Sequence, residues 1–298
     1  MSKKTSDLSK DVEAFILDRK AQRMAKGTLH FYRSKLNLFI TYAIGQGVGD
    51  VEHITPALIR GYILDMENKG HNAGGCHACY RTLKTFLLWW EAENEPMDWK
   101  NPIRKTKPPK QDDEPLDPVE FSDVDALLDT CGGDFFGTRD KAIMRVLLDT
   151  GVRAFEMTAF DLVDLDLGDS SLFVRKGKGR KARTVYIGKK SRRALRAWLR
   201  QRGSDPGALF TTQDGERLTY WGLREIIRRR AKDARIEQPG LHDFRRAFTL
   251  AQLRAGVDIL TISRLLGHTS TVLVARYAKQ KPQDLKDKYK SPVDDGGE

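Results

Sequence analysis

The stretch SLFVRKGKGRKARTVYIG, residues 171–188, decides the fold class of this chain. Apolar side chains alternate in each half, at Leu172 and Val174 and again at Val185 and Ile187, which is the period of a β-strand. A basic turn containing glycine joins the two halves, so the stretch predicts a β-hairpin. We therefore expect one small antiparallel sheet in a chain that is otherwise mainly α.

Helical patterns flank this hairpin on both sides. Apolar residues recur at helical spacing over residues 121–131, 138–151, 189–202, 220–235, 242–256 and 259–268. The stretch ALFTT, residues 208–212, together with the following GERLT, predicts a third strand. This part of the chain is therefore predicted to be an α+β domain of many helices and one sheet.

The first hundred residues predict four helices and no strands. Their apolar patterns cover residues 11–24, 26–47, 55–70 and 79–93. Thr55 is a suitable N-cap, and Pro56 suits the first helical position. Residues 105–118 carry four prolines and switch from basic to acidic, as expected of a linker. We predict a helical domain over 1–104, a linker over 105–118 and an α+β domain over 119–298.

The charge of the chain is unevenly distributed. The net charge is +11, and residues 1–110 carry 18 Lys and Arg against 12 Asp and Glu. Residues 111–170 carry 4 against 16, and residues 171–298 carry 30 against 13. Two basic blocks around an acidic one favour a large polyanionic partner, with nucleic acid as the first candidate.

Composition excludes several other classes of protein. No apolar run approaches the roughly 20 residues of a membrane span, and the first residues lack the apolar core of a secretory signal. We therefore expect a cytoplasmic protein without membrane contact, and a nucleoid-associated one if its polyanionic partner is DNA. Cys76, Cys79 and Cys131 are too few for a disulfide framework. A zinc site at Cys76 and Cys79 lacks a second ligand pair, so these residues are interpreted as part of a helix.

Four short motifs carry side chains suited to one chemistry. They are TGVRAFEM with Arg153 and Glu156, KGKGRK with Lys178, LHDFRRAFT with His242 and Arg245, and LLGHTSTVLVARYAK with His268 and Tyr277. Each motif alone has an ordinary structural interpretation, such as an ion pair within a helix or the glycine end of one. Together they supply what covalent phosphodiester cleavage needs, which is a nucleophile, cations and proton donors.

The residue types suggest their roles in such a reaction. Tyr277 can be the nucleophile, and the planar forks of Arg153 and Arg245 suit phosphate oxygens. His242 and His268 can donate hydrogen bonds or move protons. A lysine at the tip of the hairpin can protonate the leaving 5′ oxygen. Side chains provide the charge stabilisation, so no metal or other cofactor is needed.

On these motifs the chain resembles the tyrosine recombinases, the family of phage integrases and Xer-type resolvases. The order and approximate spacing of the motifs agree over roughly residues 119–280. The helical domain resembles the core-binding, SAM-like domain of that family in its helix pattern and position.

The resemblance implies a site-specific DNA recombinase that works through a 3′-phosphotyrosyl intermediate, without ATP or metal. Tyr277 would attack the scissile phosphate, and Lys178 would protonate the leaving group. Arg153, Arg245 and the two histidines would surround the phosphate, with Glu156 orienting a catalytic histidine. The implied partners are double-stranded DNA with paired inverted core sites and other protomers, four of them on two sites.

Further basic residues are predicted to contact DNA, mostly at phosphates. They are Lys176, Arg180, Lys181, Arg192, Arg193, Arg224, Arg228, Arg229 and Arg246. Arg246 departs from the family pattern, in which a second histidine often follows the arginine. The C-terminal tail could dock on a neighbouring protomer or be disordered.

Three alternatives remain at this point. A protein could keep the fold and bind DNA without chemistry, but no residue of the motif set is missing. A metal-dependent nuclease or transposase would use acids from residues 111–170. A type IB topoisomerase shares the phosphotyrosine chemistry, but the N-terminal helical domain and the compact size favour a recombinase.

Overall fold

The computed structural model describes residues 7–110, 119–175 and 182–267. The chain folds into two compact units, residues 1–114 and 115–298. None of the helices in the described ranges is long and apolar enough to cross a membrane.

Over its described residues, 7–110, the first unit is a bundle of four α-helices, as predicted. They are α1 Leu8–Ala21, α2 Lys26–Gly45, α3 Pro56–Asn68 and α4 Ala73–Asn94. The Thr55 hydroxyl accepts a hydrogen bond from the backbone N–H of Leu58, so the predicted cap of α3 is confirmed. Aromatic side chains fill the bundle core, where Phe15 packs against Phe86 with ring centroids 5.7 Å apart.

The first two residues of the predicted linker, 105 and 106, still belong to this bundle. Pro102–Lys105 form a 3₁₀ turn whose Ile103 is buried in the bundle core. The carbonyl of Thr106 then accepts a hydrogen bond from the Tyr80 hydroxyl at 2.7 Å. Residues 111–118, the acidic part of that segment, lie outside the described residues.

The second unit contains the remaining helices and the sheet. The helices are α5 Phe121–Asp129, α6 Phe135–Thr150, α7 Ala154–Ala159, α8 Lys189–Arg202, α9 Tyr220–Ala234, α10 Leu241–Arg254 and α11 Ile259–Leu266. The strands are β1 Leu165–Asp166, β2 Ser171–Val174 and β3 Arg183–Tyr186. A mainly α fold with a small antiparallel sheet is therefore confirmed.

The hairpin prediction is correct, but the predicted third strand is wrong. β2 pairs antiparallel with β3, with Leu172 opposite Val185, and β1 is the third strand on the other edge of β2. Residues 208–212 form only isolated bridges, at Ala208 and Thr211. The short apolar run there reflects burial of the adjacent Leu209 and Phe210 in the core of the unit rather than a place in the sheet.

The core of the second unit surrounds α6. Ile143, Met144 and Leu147 of that helix are fully buried. Trp198 of α8 belongs to the same core, and its indole N–H donates to the carbonyl of Leu209 at 2.8 Å. α6 packs against α10, and the end of α6 at Gly151 approaches Phe248 of α10 and Leu266 of α11, which places these elements at the candidate site.

Candidate phosphate-binding site

Two buried arginines hold the C-terminal end of α11. Arg183 Nε donates to the carbonyl oxygen of Leu265 at 2.7 Å, and Arg245 Nη2 donates to that of Leu266 at 2.8 Å. The last carbonyl groups of a helix lack partners within it and carry the negative end of its dipole, so cations stabilise them. The helical turn before residue 268 is therefore fixed by these two side chains.

Arg153 lies beside the same helix end. It is the N-cap of α7, and its Nη1 donates to Glu156 Oε1 at 3.0 Å. Longer contacts of 3.5 Å join its guanidinium to the carbonyl oxygens of Leu266 and Gly267. Its side chain is 21% exposed. One edge of the guanidinium therefore contacts protein while solvent reaches the group.

Glu156 is the carboxylate that joins two of these arginines. Arg183 donates to both of its oxygens, at 3.0 Å and 2.8 Å, and the backbone N–H of Arg153 donates to Oε2 at 2.8 Å. Burial raises the pKa of Glu156, but the hydrogen bond from Arg183 and the other donors and charges outweigh it, so this pKa ends below its ordinary value. Glu156 is therefore an ionised carboxylate that fixes Arg153 and Arg183.

Arg245 depends on a glycine at the end of α6. Its Nη1 donates to the carbonyl oxygen of Gly151 at 2.7 Å. Gly151 has φ +58°, and a Cβ there would lie 2.6 Å from Phe248 and 2.9 Å from Leu266. A side chain at residue 151 would therefore push α6 away from α10 and α11. This close approach explains the glycine in the motif TGVRAFEM.

His242 lies on the first turn of α10, within electrostatic range of these arginines. Desolvation by the surrounding protein lowers its pKa although the residue remains exposed, and the charges of Arg245, Arg246 and Arg153 lower it further. A lowered pKa keeps the imidazole neutral at pH 7, so that one ring nitrogen donates and the other accepts. The exposed surface leaves the ring accessible to a ligand.

The cluster as a whole has the charge and the side chains of a candidate anion site. The guanidinium groups of Arg153, Arg183 and Arg245 all reach the end of α11, and their combined charge exceeds that of the Glu156 carboxylate beside them. Guanidinium forks match the geometry of phosphate oxygens, and a neutral histidine adds one donor. This arrangement can hold a phosphodiester and stabilise charge that develops on its non-bridging oxygens.

The structure thus brings together four predicted site residues from distant motifs, namely Arg153, Glu156, His242 and Arg245. The other predicted catalytic residues, Lys178, His268 and Tyr277, lie outside the described residues. The same holds for Lys176, Arg180 and Lys181 among the predicted DNA contacts.

Sequence reasoning missed Arg183, although a signal was present. Arg183 shares a strand face with Val185, and both side chains are largely buried. An arginine on the inward face of a strand needs a buried acidic partner, because an unpaired buried charge is costly. Glu156, which the motifs already predict to support the site, is the acid that meets this need.

The predicted DNA contacts on α8 and α9 differ in how freely they can reach a ligand. Arg193, Arg224 and Arg228 are exposed, whereas Arg192 donates to the Ser170 hydroxyl at 2.8 Å. Arg229 donates to the fully buried carboxylate of Asp140 at 2.8 Å, so it also supports the fold.

Arg246 on α10 has a partner of its own. Its Nη1 lies 2.5 Å from Asp243 Oδ1 on the preceding turn, and its side chain is mostly buried. The extra cation of this chain is therefore neutralised locally, although its charge still lowers the pKa of His242.

The two neighbouring cysteines are part of a helix core, as interpreted from the sequence. Cys76 and Cys79 are both buried in α4, and burial raises the pKa of the Cys76 thiol. Within the described ranges, no three His, Cys, Asp or Glu side chains are grouped so that they could hold a metal ion.

The buried carboxylate yields a prediction for stability. We expect Glu156→Gln to destabilise the second unit by about 3 kcal/mol at pH 7, because it leaves Arg183 buried without its counter-charge. A carboxyl group whose pKa falls on folding stabilises the folded state above its ordinary pKa and stops doing so as pH falls through the lowered value. The difference between wild type and variant should therefore shrink in acid.

Urea unfolding at several pH values, with hydrogen exchange of α11 peptides, measures this effect. Glu225→Gln is the matched control, because Glu225 forms an exposed ion pair with Arg228 and should leave stability nearly unchanged. Equal destabilisation by both substitutions, or an effect independent of pH, would contradict the role of Glu156.

The sequence of this chain is similar to those of known proteins. Residues 118–284 match the phage integrase family. Tyrosine recombinase XerC of Escherichia coli O157:H7 (strain EC4115 / EHEC) is 26% identical over 297 residues, covering 95% of this chain and 96% of that protein.

Solved structures share the fold at lower identity. An integrase of transposon Tn1549 in complex with circular intermediate DNA superposes with a TM-score of 0.77 at 17% identity, covering 96% of this chain and 100% of that one. A lambda integrase tetramer bound to a Holliday junction gives 0.74 at 17% identity, covering 93% and 78%. These two likenesses concern the fold alone.

Proposed function

The chain belongs to the phage integrase family, and from that premise we propose that it is a site-specific DNA recombinase that cuts and rejoins strands through a tyrosine. The observation that carries the proposal is the convergence of Arg153 and Arg245 on the last turn of α11. That turn leads directly into the motif that contains His268 and Tyr277.

The reaction would proceed by two transesterifications. The Tyr277 hydroxyl passes its proton to a neutral histidine of the site while its oxygen attacks the scissile phosphorus. A 3′-phosphotyrosyl bond forms, and the bond to the 5′ oxygen breaks. Lys178 gives a proton to that oxygen, which leaves as a 5′-hydroxyl. The 5′-hydroxyl of a second strand then gives its proton to Lys178 and attacks the phosphorus. The bond to the Tyr277 oxygen breaks, and the histidine returns the proton to that oxygen. The number of phosphoester bonds is unchanged, so neither ATP nor a metal ion is required.

The described residues would stabilise both steps. Arg153 and Arg245 bind the non-bridging oxygens, whose negative charge grows in the transition state. His242, held neutral by its surroundings, donates a further hydrogen bond. His268, which lies outside the described residues, would supply a second donor. Glu156 and Arg183 keep the arginines and the end of α11 in place, because each bonds to more than one of these segments.

Partners and organisation follow from the same premise. The substrate is double-stranded DNA with paired inverted core sites inside the cell, and four protomers act on two such sites. Residues 1–104 form the core-binding domain and residues 119–298 the catalytic domain, joined by a linker. The chain serves either to resolve DNA dimers or to move a genetic element.

The test is covalent trapping. DNA fragments from the region around the gene, including nicked duplexes whose cleaved end diffuses away, are incubated with the full chain in EDTA. We expect a protein–DNA adduct that survives denaturation. An adduct that forms only with added Mg²⁺ would favour a metal-dependent nuclease, and tight binding without any adduct would favour a DNA-binding protein. Relaxation of one duplex without joining two sites would favour a topoisomerase.

DNA binding itself yields a prediction at α9. The Arg228 side chain is 58% exposed and lies 2.5 Å from Glu225. We expect Arg228→Ala to weaken binding to all sequences alike and to reduce the slope of log K against log salt by about 1, because one phosphate contact is lost. Fluorescence anisotropy at several salt concentrations measures both quantities.

Glu225→Gln provides the opposite change at the same place. It removes the negative partner of Arg228 and should therefore tighten binding. A loss confined to one DNA sequence in Arg228→Ala would show base readout instead of a phosphate contact. Arg229→Ala is a poorer probe, because it also disturbs Asp140.

A further inference from the structure

An exposed aromatic patch lies next to the candidate site in the second unit. It consists of Phe155 on α7 and of Tyr220 and Trp221 at the start of α9. The rings of Phe155 and Tyr220 are stacked with centroids 5.0 Å apart and an interplanar angle of 16°. Trp221 meets Tyr220 edge-on at 5.4 Å. Phe155 is 71% exposed and Trp221 is 69% exposed.

The arrangement of these rings points to a ligand. Single exposed apolar residues are common on protein surfaces, but a contiguous group of large aromatic rings usually marks a binding surface. The stack holds Phe155 and Tyr220 in defined positions, so their faces and edges are preorganised for contact.

The patch is close to the scissile phosphate that we propose. Phe155 follows Arg153 by two residues, so their Cα atoms are at most about 7 Å apart. The buried Glu156 follows directly and fixes this turn of α7. A group bound by the patch would therefore lie within about five base pairs of the phosphate held by Arg153, given 3.4 Å per base step.

The positive charge beside the aromatic patch indicates which kind of partner it can bind. The Arg224 guanidinium lies 5.9 Å from the centre of the Trp221 ring, and both Arg224 and Arg228 are exposed on α9. A partner for this surface must combine negative charge with apolar groups. Duplex DNA does so in its major groove, where phosphates flank base edges and thymine carries a methyl group. A second copy of this basic chain fits less well, because its net charge is +11.

We propose that the patch of Phe155, Tyr220 and Trp221 contacts thymine methyl groups in the major groove beside the cleavage site, and so contributes to sequence selection. The proposal rests on the proposed recombinase function. The major groove admits an α-helix, and Tyr220 and Trp221 occupy the first two positions of α9. Aromatic rings read a methyl group by excluding water from it rather than by hydrogen bonding.

The experiment removes single methyl groups from the DNA. In the core site mapped by covalent trapping, each thymine within about five base pairs of the cut is replaced in turn by deoxyuridine, which lacks only that methyl. Binding by wild type and by Trp221→Ala and Phe155→Ala is then measured. Phe173→Ala is the matched control, because Phe173 is an exposed aromatic on β2 outside the patch.

We expect deoxyuridine at one or two positions to weaken wild-type binding about fourfold, because one methyl group is then no longer buried against the patch. The same replacement should have almost no effect in Trp221→Ala or Phe155→Ala, and its full effect in Phe173→Ala. Unmodified DNA should still give the covalent adduct with all three variants. Covalent trapping thus tests the recombinase function separately. A wild-type protein that never forms an adduct would overturn the recombinase function itself, before the patch is tested.

Three results would overturn the proposal while leaving the recombinase function intact. The first is a deoxyuridine effect of the same size in wild type and in the patch variants. The second is a core site without thymine in this window. The third is a patch variant that has a lower molar mass than wild type in the absence of DNA and an unchanged response to deoxyuridine. That result would mean that the patch is a contact between protomers.

Discussion

Replacing Tyr277 by phenylalanine should lower the rate of covalent adduct formation by at least about 10⁴-fold, because removal of a nucleophile leaves only the binding and charge stabilisation of the site. The substitution deletes one oxygen atom and keeps the aromatic ring. DNA affinity should therefore stay within about threefold of wild type. Adduct yield on nicked substrates, measured beside binding, separates the two effects.

Tyr289→Phe is the matched control for that prediction. Tyr289 lies in the same C-terminal segment, twelve residues after Tyr277, and belongs to none of the four motifs. The Tyr289→Phe variant should therefore form adducts at the wild-type rate. If Tyr289→Phe loses the adduct and Tyr277→Phe keeps it, the assignment of the nucleophile is wrong.

The second large effect is expected at Arg245. Arg245→Lys should slow adduct formation by about 10²- to 10³-fold. Enzymes lose about this much rate when one hydrogen-bond donor to the negative charge of the transition state is removed. The guanidinium donates from one nitrogen to Gly151 and from another to Leu266, and this geometry sets the direction of the whole fork. A lysine ammonium keeps the charge but cannot reproduce both contacts and a planar fork.

The neighbouring residue offers a control with the same chemical change. Arg246→Lys retains a cation beside Asp243 and should stay within about threefold of wild type in adduct formation. Both variants are compared at a temperature where circular dichroism shows each to be folded. Equal losses in the two variants would mean that total charge, not the fork of Arg245, matters.

Much of the fold could be predicted because its signals are local. The amphipathic helices, the cap at Thr55 and the alternation on either side of the hairpin all depend on near neighbours in sequence. β1 could not be predicted, since Leu165–Asp166 is too short to show a period. The apolar run at 208–212 misled because a short buried loop can have the same composition as a short buried strand.

The motifs predicted four residues that the structure brings together in the candidate site, but they did not predict Arg183, which supports it. Arg153, His242 and Arg245 stand in motifs whose chemistry points to phosphate. Their positions depend on contacts between distant segments, such as Arg183 to Glu156 across 27 residues and Arg245 to Gly151 across 94. Such pairs leave no local pattern in the sequence. The one available signal was Arg183 on β3, because an inward-facing arginine needs a buried acidic partner.

The measurement that tests the central claim most directly is mass spectrometry of the trapped adduct. The adduct formed in EDTA is digested with trypsin and nuclease, and the peptide that carries the nucleotide remnant is sequenced. We predict the remnant on Tyr277, joined through a 3′ phosphate, with a free 5′-hydroxyl on the released strand. A remnant on any other side chain, or a 5′-phosphate linkage, would contradict the account.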